Sequence, residues 1–132
     1  MLTRVRSRLP PDIERVAEAT IGCAIEVHRR LGPGFREALY LDAMVIELEE
    51  AGLIMDREVP VNISYRGRPI RTFRIDLLVE HLVVVELKSV ERLERIHQAQ
   101  LLSYLRASRH RLGLLINFNT ELLRSGLKRI VL

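Results

Sequence analysis

The strongest constraint on the fold is a pair of apolar segments that carry charged residues. Leu82–Lys88 is apolar except for Glu86 and Lys88, and Phe73–Val79 contains Asp76 among isoleucine, leucine and valine. Short runs rich in β-branched residues are typical of strands buried in a sheet. The short connection between the two segments predicts an antiparallel hairpin. Charged groups in such strands are costly unless they are paired or bind a metal ion, so these three residues are candidate functional groups.

Strand register gives this hypothesis a condition that can fail. Glu86 and Lys88 are two positions apart, so they share one face of their strand. Directly opposed residues of an antiparallel pair also share a face. Asp76 therefore faces Glu86 only if the connection has an odd number of residues, such as Glu80–Leu82, or if a bulge intervenes. A connection of two residues would place Asp76 opposite Val85, so we predict an odd connection or a bulge.

Helical and strand periodicities organise the rest of the chain. Asp12 is the expected N-cap of the first helix, and Gly52 the residue that ends the second. Three antiparallel strands followed by a helical crossover imply an α/β fold, a mixed sheet with helices packed on it, in the order ααβββαββ. The predicted helices are Asp12–Leu31, Arg36–Ala51 and Glu91–Ala107, and the predicted strands are Val59–Tyr65, Ile70–Val79, Leu82–Lys88, Leu112–Phe118 and Lys128–Leu132.

Length and composition exclude several classes of protein. The 132 residues fit a single domain, with residues 1–11 as a basic N-terminal tail. No apolar run approaches the ~20 residues that span a bilayer, and prolines replace the apolar region of a secretory signal. One cysteine allows neither an internal disulfide nor a cysteine-based zinc site, so a cytoplasmic protein without a membrane partner is expected. The net charge of +4 slightly favours nucleic acid as a partner.

The residue types in the hairpin suit phosphodiester cleavage. Two strand carboxylates and a backbone carbonyl offer the oxygen ligands that Mg²⁺ or Mn²⁺ prefers. Such an ion polarises a phosphate and lowers the pKa of a bound water, and a neighbouring lysine can orient that water. Other interpretations stay open at this point. Asp76 can end a strand or cap a turn, and Glu86 and Lys88 can form a cross-strand ion pair with Arg74, worth about 0–1 kcal/mol at a surface.

Several motifs in the same order resemble a known nuclease family. Asp76 followed by Glu86-Leu87-Lys88 resembles the core motif of the PD-(D/E)XK nuclease superfamily, and Gly34–Tyr40 matches the motif of its GxxExxY family. Ile75 stands where the superfamily's name has proline. The resemblance covers most of the chain, and its further segments are Val27–Gly34, Ile75–Val79, Gln100–Leu105 and Gly113–Phe118.

The resemblance implies a restriction-endonuclease-like αβββαβ core with the site at one edge of the sheet. It implies that Glu37 joins Asp76 and Glu86 as a metal ligand and that Lys88 completes the motif. It also implies that Gln100 and Tyr104 lie near bound nucleic acid. Simpler roles compete: Glu37 can be a first-turn carboxylate favoured by the helix dipole, and Gln100 and Tyr104 can belong to a helix packing face with Ile96 and Ala107.

Two function hypotheses from different classes follow. The first is a nuclease that depends on Mg²⁺ or Mn²⁺ and hydrolyses phosphodiester bonds in nucleic acid, with DNA favoured. The second is a non-catalytic nucleic-acid-binding or assembly module on the same fold, acting as a homodimer or with a partner subunit. A third possibility is an unrelated α/β protein whose strand charges are structural, and it predicts neither metal nor nucleic-acid binding.

Overall fold

The computed structural model describes residues 9–132. Most of the predicted basic tail therefore lies outside the described residues, but Leu9 is buried and the first helix begins at Pro11. None of the helices in the described part is long and apolar enough to cross a membrane. The helices are α1 (Pro11–Leu31), α2 (Glu37–Glu50) and α3 (Arg95–Ser108), with a 3₁₀ turn at Leu123–Gly126, and the strands are β1 (Met55–Tyr65), β2 (Arg68–Val79), β3 (Val83–Lys88), β4 (Leu112–Asn117) and β5 (Leu127–Val131).

The strands form one open mixed sheet in the order β1-β2-β3-β4-β5. β1, β2 and β3 pair antiparallel, β4 runs parallel to β3, and β5 pairs antiparallel with β4. The helical crossover through α3 makes the parallel β3–β4 pair possible. This confirms the predicted α/β fold class and the order ααβββαββ, and the architecture agrees with a restriction-endonuclease-like fold.

Helices cover both faces of the sheet and create two apolar cores. α1 and α2 pack on one face, against a cluster that includes Val85, Leu87 and Ile116. On the other face, Leu101 and Leu105 of α3 are fully buried against a smaller cluster. β4 is buried along its whole length, as expected for a strand covered on both faces.

Two predicted helix boundaries are wrong for local reasons. Asp12 is not an N-cap, because Pro11 occupies the first helical position and Pro10 the cap, and the Asp12 carboxylate lies in the first turn. The third helix begins at Arg95 rather than Glu91. A capping box sets this boundary, since the Glu94 carboxylate accepts the His97 backbone N–H and the His97 ring accepts the Glu94 N–H.

The β1–β2 hairpin changes its packing face at Asp76. Ile75 packs in the α3-side cluster, whereas Leu77, two residues later, packs in the α1/α2-side cluster. Strict alternation would place both on the same face. In β1 the change occurs at Glu58, a non-glycine residue with φ of +52° that interrupts the pairing opposite Asp76. The β1–β2 pairing is therefore interrupted at the position where the predicted site begins.

Candidate metal-binding site at the end of strand β3

The β2–β3 register satisfies the condition stated from the sequence. Val79 pairs with Val83 and Leu77 with Val85, so three residues, Glu80 to Leu82, connect the strands. The predicted odd connection is confirmed, and the register places Asp76 opposite Glu86. Positive φ angles at Glu80 and His81 produce the tight turn.

Asp76 and Glu86 are joined by hydrogen bonds that replace the regular strand pairing. The Asp76 backbone N–H donates to the Glu86 carboxylate over 3.1 Å, and the Leu87 N–H donates to the Asp76 carboxylate over 2.7 Å. The regular β2–β3 pairing ends at Leu77 and Val85. Each carboxylate therefore accepts a hydrogen bond from a backbone N–H that this pairing leaves without a partner. The arrangement fixes both carboxylates side by side between the parting strands.

Burial and mutual repulsion make it difficult for both groups to ionise. Glu86 is only 7% exposed. Burial, followed by the negative charge of Asp76, raises the pKa of Glu86 to about 8. Burial also raises the pKa of Asp76, and the Glu37 charge adds to that increase. Perturbed carboxylates of this kind are typical of functional sites, where a bound cation can compensate the buried charge.

Lys88 and Tyr104 lie within electrostatic range of the two carboxylates. The Lys88 charge lowers the pKa values of both Asp76 and Glu86, against the larger effect of burial. Tyr104 stacks on Phe73 with ring centroids 4.0 Å apart, and burial, then Glu86 and Asp76, raises the pKa of its phenol. No ion pair within residues 9–132 involves Glu86, Lys88 or Arg74, so the cross-strand salt bridge considered from the sequence is not formed.

Gln100 does not join this group in the structure. Its side chain is exposed, and no hydrogen bond within the described part of the chain connects it to Asp76 or Glu86. Ile96 is also exposed, at 58%, so the proposed packing face through Gln100 and Ile96 is not the buried face of α3. The buried residues of this helix are Leu101 and Leu105.

Glu37 approaches the site from the start of α2. Its carboxylate accepts the Ser89 backbone N–H at 3.4 Å, just beyond Lys88, and its charge raises the pKa values of Asp76 and Glu86. Glu37 and Ser89 also border an open cleft of about 540 Å³, and neither Asp76, Glu86 nor Lys88 lines it. Its other walls are Gly34, Phe35, Arg36, Ala38 and Asn119.

Asn117 holds the segment that follows the Glu-X-Lys motif, a role that the sequence analysis did not identify. Its side chain is 1% exposed and forms two hydrogen bonds with the Val90 backbone, of 3.1 and 2.9 Å. The Phe118 N–H also donates to the Lys88 carbonyl over 3.0 Å. A polar residue at the end of the otherwise apolar run 112–118 was the available signal. Glu58 gave no such signal, because a left-handed backbone angle at a glutamate is not visible in a sequence.

The structure assembles the predicted carboxylates only in part. Within residues 9–132, no group of three or more histidine, cysteine, aspartate or glutamate side chains forms a ligand set for a metal ion. Asp76 and Glu86 are adjacent, while Glu37 stands apart on Ser89. Glu37 as a third metal ligand therefore stays a prediction.

Comparison with known proteins agrees with this architecture. No curated protein and no solved structure matches the chain. The family model of the PD-(D/E)XK nuclease superfamily matches residues 14–130, which include α2, strands β1 to β4 and all six predicted site residues. Members of this superfamily generally use divalent metal ions and act on nucleic acids. The match covers nearly all of the described residues, and the chain belongs to the PD-(D/E)XK nuclease superfamily.

Proposed function

We propose that the protein is a metal-dependent nuclease that hydrolyses phosphodiester bonds in nucleic acid, with DNA as the favoured substrate. The observation that carries this proposal is the pairing of Asp76 with Glu86 beside Lys88 at the point where β2 and β3 part. The match of residues 34–40 to the GxxExxY motif supports placing the chain in that group of the superfamily.

The donor set fits a small divalent cation. Asp76 and Glu86 provide hard oxygen ligands, and burial, the largest cause of their raised pKa values, favours a bound cation that compensates their charge. Asp76 and Glu86 would hold Mg²⁺ or Mn²⁺, with Glu37 as a third carboxylate. When bound, the ion would polarise the scissile phosphate and acidify a water molecule.

The protein's own groups contribute orientation and charge. The Lys88 ammonium, next to both carboxylates, orients the attacking water and offsets charge on the phosphate. Tyr104, held by Phe73, supports that side of the site, and the exposed Gln100 is available to substrate from the same helix. Asn117 fixes the Ser89–Val90 segment and thereby the end of β3.

A cleavage assay with matched variants tests this function. Wild-type protein should cut DNA only when Mg²⁺ or Mn²⁺ is added, and Lys88→Ala should lower the rate by about 10²-fold or more. Glu50→Gln is the control, because Glu50 is an exposed carboxyl at the far end of α2, about 20 Å along the helix from Glu37. Equal rates for wild type, Lys88→Ala and Asp76→Ala would identify a contaminating nuclease.

A second candidate function is a non-catalytic binding or assembly module, acting as a homodimer or beside a partner subunit. The absence of a complete three-residue ligand set within residues 9–132 favours it. Calorimetry separates the two proposals. Mn²⁺ binding that disappears in Asp76→Ala supports the nuclease, whereas DNA binding without any Mn²⁺ binding supports the module.

A further inference from the structure

Residues 59–75 of the β1–β2 hairpin carry a block of positive charge. Between Val59 and Ile75 the sequence has four arginines, Arg66, Arg68, Arg71 and Arg74, and no acidic residue. Four is also the net charge of the whole chain, so all other residues together carry as many acidic as basic side chains. We call this projecting segment the arginine arm (residues 59–75); outside it, the three arginines of the basic N-terminal tail and the other basic residues are balanced in number by acidic residues.

The arm is free to meet a partner. All residues from Ser64 to Thr72 are exposed, including the tip at Arg66-Gly67. α3 supports only the base of the arm, where Val61 is buried and Phe73 is partly buried in the α3-side cluster. None of the four arginines takes part in an ion pair within the described residues. Their charge is therefore available to an anionic ligand.

The position of the arm connects it to the proposed active site. Arg74 lies two residues before Asp76 on β2, about 7 Å along the strand, and Arg68 lies about 27 Å from Asp76. Successive phosphates of a DNA strand are spaced by about 3.4 Å along the helix axis. The four arginines are thus spread over a span that matches several nucleotides of a bound DNA strand.

The shape of the arm favours one kind of nucleic acid. Two paired strands form a ribbon, and the major groove of B-form DNA, about 12 Å wide, admits a two-stranded ribbon. The major groove of A-form RNA is deep and narrow, so side chains cannot read it. Asn62, Ser64 and Thr72 line a shallow depression on the arm. The Thr72 hydroxyl donates to the Asn62 side-chain carbonyl over 2.8 Å, so the Asn62 amide N–H groups and the Ser64 hydroxyl are the donors suited to sugar and phosphate.

We propose that the arginine arm binds the backbone of duplex DNA as a β-ribbon in the major groove and holds it across the site. This inference rests on the proposed function for its biological meaning, but the binding itself can be tested without cleavage. An exposed edge strand can also carry arginines simply to prevent edge-to-edge aggregation. The test must therefore separate a binding arm from a solvated edge.

The test compares two variants with equal loss of charge. The arm variant is Arg66→Gln/Arg68→Gln/Arg71→Gln, and the control is Arg106→Gln/Arg124→Gln/Lys128→Gln, whose side chains are exposed on other elements. Binding to a DNA duplex of about 30 base pairs is measured without divalent metal at several salt concentrations. We expect the arm variant to bind DNA with roughly 10- to 100-fold lower affinity at 0.1 M salt. The slope of its log binding constant against log salt concentration should become shallower by about 2 to 3, while the control variant keeps the wild-type affinity and slope.

Three outcomes would overturn the proposal: equal losses in both variants, no loss in the arm variant, or equal affinity for a duplex RNA of the same sequence. Unchanged unfolding of the arm variant is expected because its three side chains are exposed, and it excludes misfolding as the cause of a loss. Failure of the arm and failure of the nuclease are distinguishable. If the wild type cleaves DNA but the arm variant binds DNA as tightly as the wild type, only the arm proposal is refuted. If the arm variant loses DNA binding but the wild type does not cleave DNA, only the nuclease proposal is refuted.

Discussion

Glu86→Gln is expected to abolish cleavage while stabilising the metal-free protein at pH 8. The Glu86 pKa is about 8 in the folded protein and 4.5 by its ordinary value. The folded chain therefore keeps a proton that the unfolded chain releases, so stability falls as the pH rises from about 4.5 to about 8. The slope reaches at most about 1.4 kcal/mol per pH unit. Glutamine has no proton to lose and still accepts the Asp76 N–H, so the variant should gain about 4 kcal/mol at pH 8.

Urea unfolding at pH 5 and pH 8 measures this effect. The gain should be large at pH 8 and small at pH 5, and Glu50→Gln should show no comparable change. Divalent cation should stabilise wild type more at pH 8 than at pH 6, because binding requires the ionised carboxylates, and should not stabilise Glu86→Gln. A variant that is less stable than wild type at pH 8, or equally stabilised at both pH values, would contradict the assignment of a buried, proton-holding Glu86.

Tyr40→Ala is expected to destabilise the fold by about 3–5 kcal/mol, which is typical of a large aromatic residue removed from a core. Tyr40 is fully buried and stacks on Phe118 with centroids 4.5 Å apart. Its hydroxyl donates to the Gly32 carbonyl over 2.6 Å and accepts the Phe35 N–H at 3.2 Å. The alanine variant loses both the packing and the anchor of the loop before α2.

Tyr40→Phe separates these two contributions. It keeps the ring and removes only the hydroxyl, so we expect a loss of about 1–2 kcal/mol in urea unfolding. Cleavage should fall more than this stability loss explains, because the Phe35 carbonyl accepts the Ser89 hydroxyl and Ser89 contacts Glu37. A Tyr40→Phe protein with unchanged stability would show that the hydroxyl does not anchor the loop, and one with unchanged cleavage would show that the anchor does not position Glu37.

The sequence predicted those parts of the molecule that depend on short-range pattern. Period-two alternation identified the strands, and the requirement that Asp76 face Glu86 led to the correct prediction of an odd connection between them. The start of α3 was predicted too early because the mostly polar segment 91–94 also looks helical. The capping box between Glu94 and His97, which sets the boundary, was not recognised. Asn117 was missed as a site residue because its partner, Val90, lies far away in sequence. Contacts of that range follow from the fold rather than from local preference.

The change of packing face at Glu58 and Asp76 has a consequence for engineering. The alternation of side chains between the two faces of the sheet is reset at these residues. The pairing of residues 59–75 therefore does not determine how Asp76 meets Glu86. Matched insertions of two residues in each strand of the arm would lengthen its reach and leave the two carboxylates in register. Under the proposed function, the reach of the arm along the substrate and the chemistry of the carboxylate site would therefore be alterable separately within one hairpin.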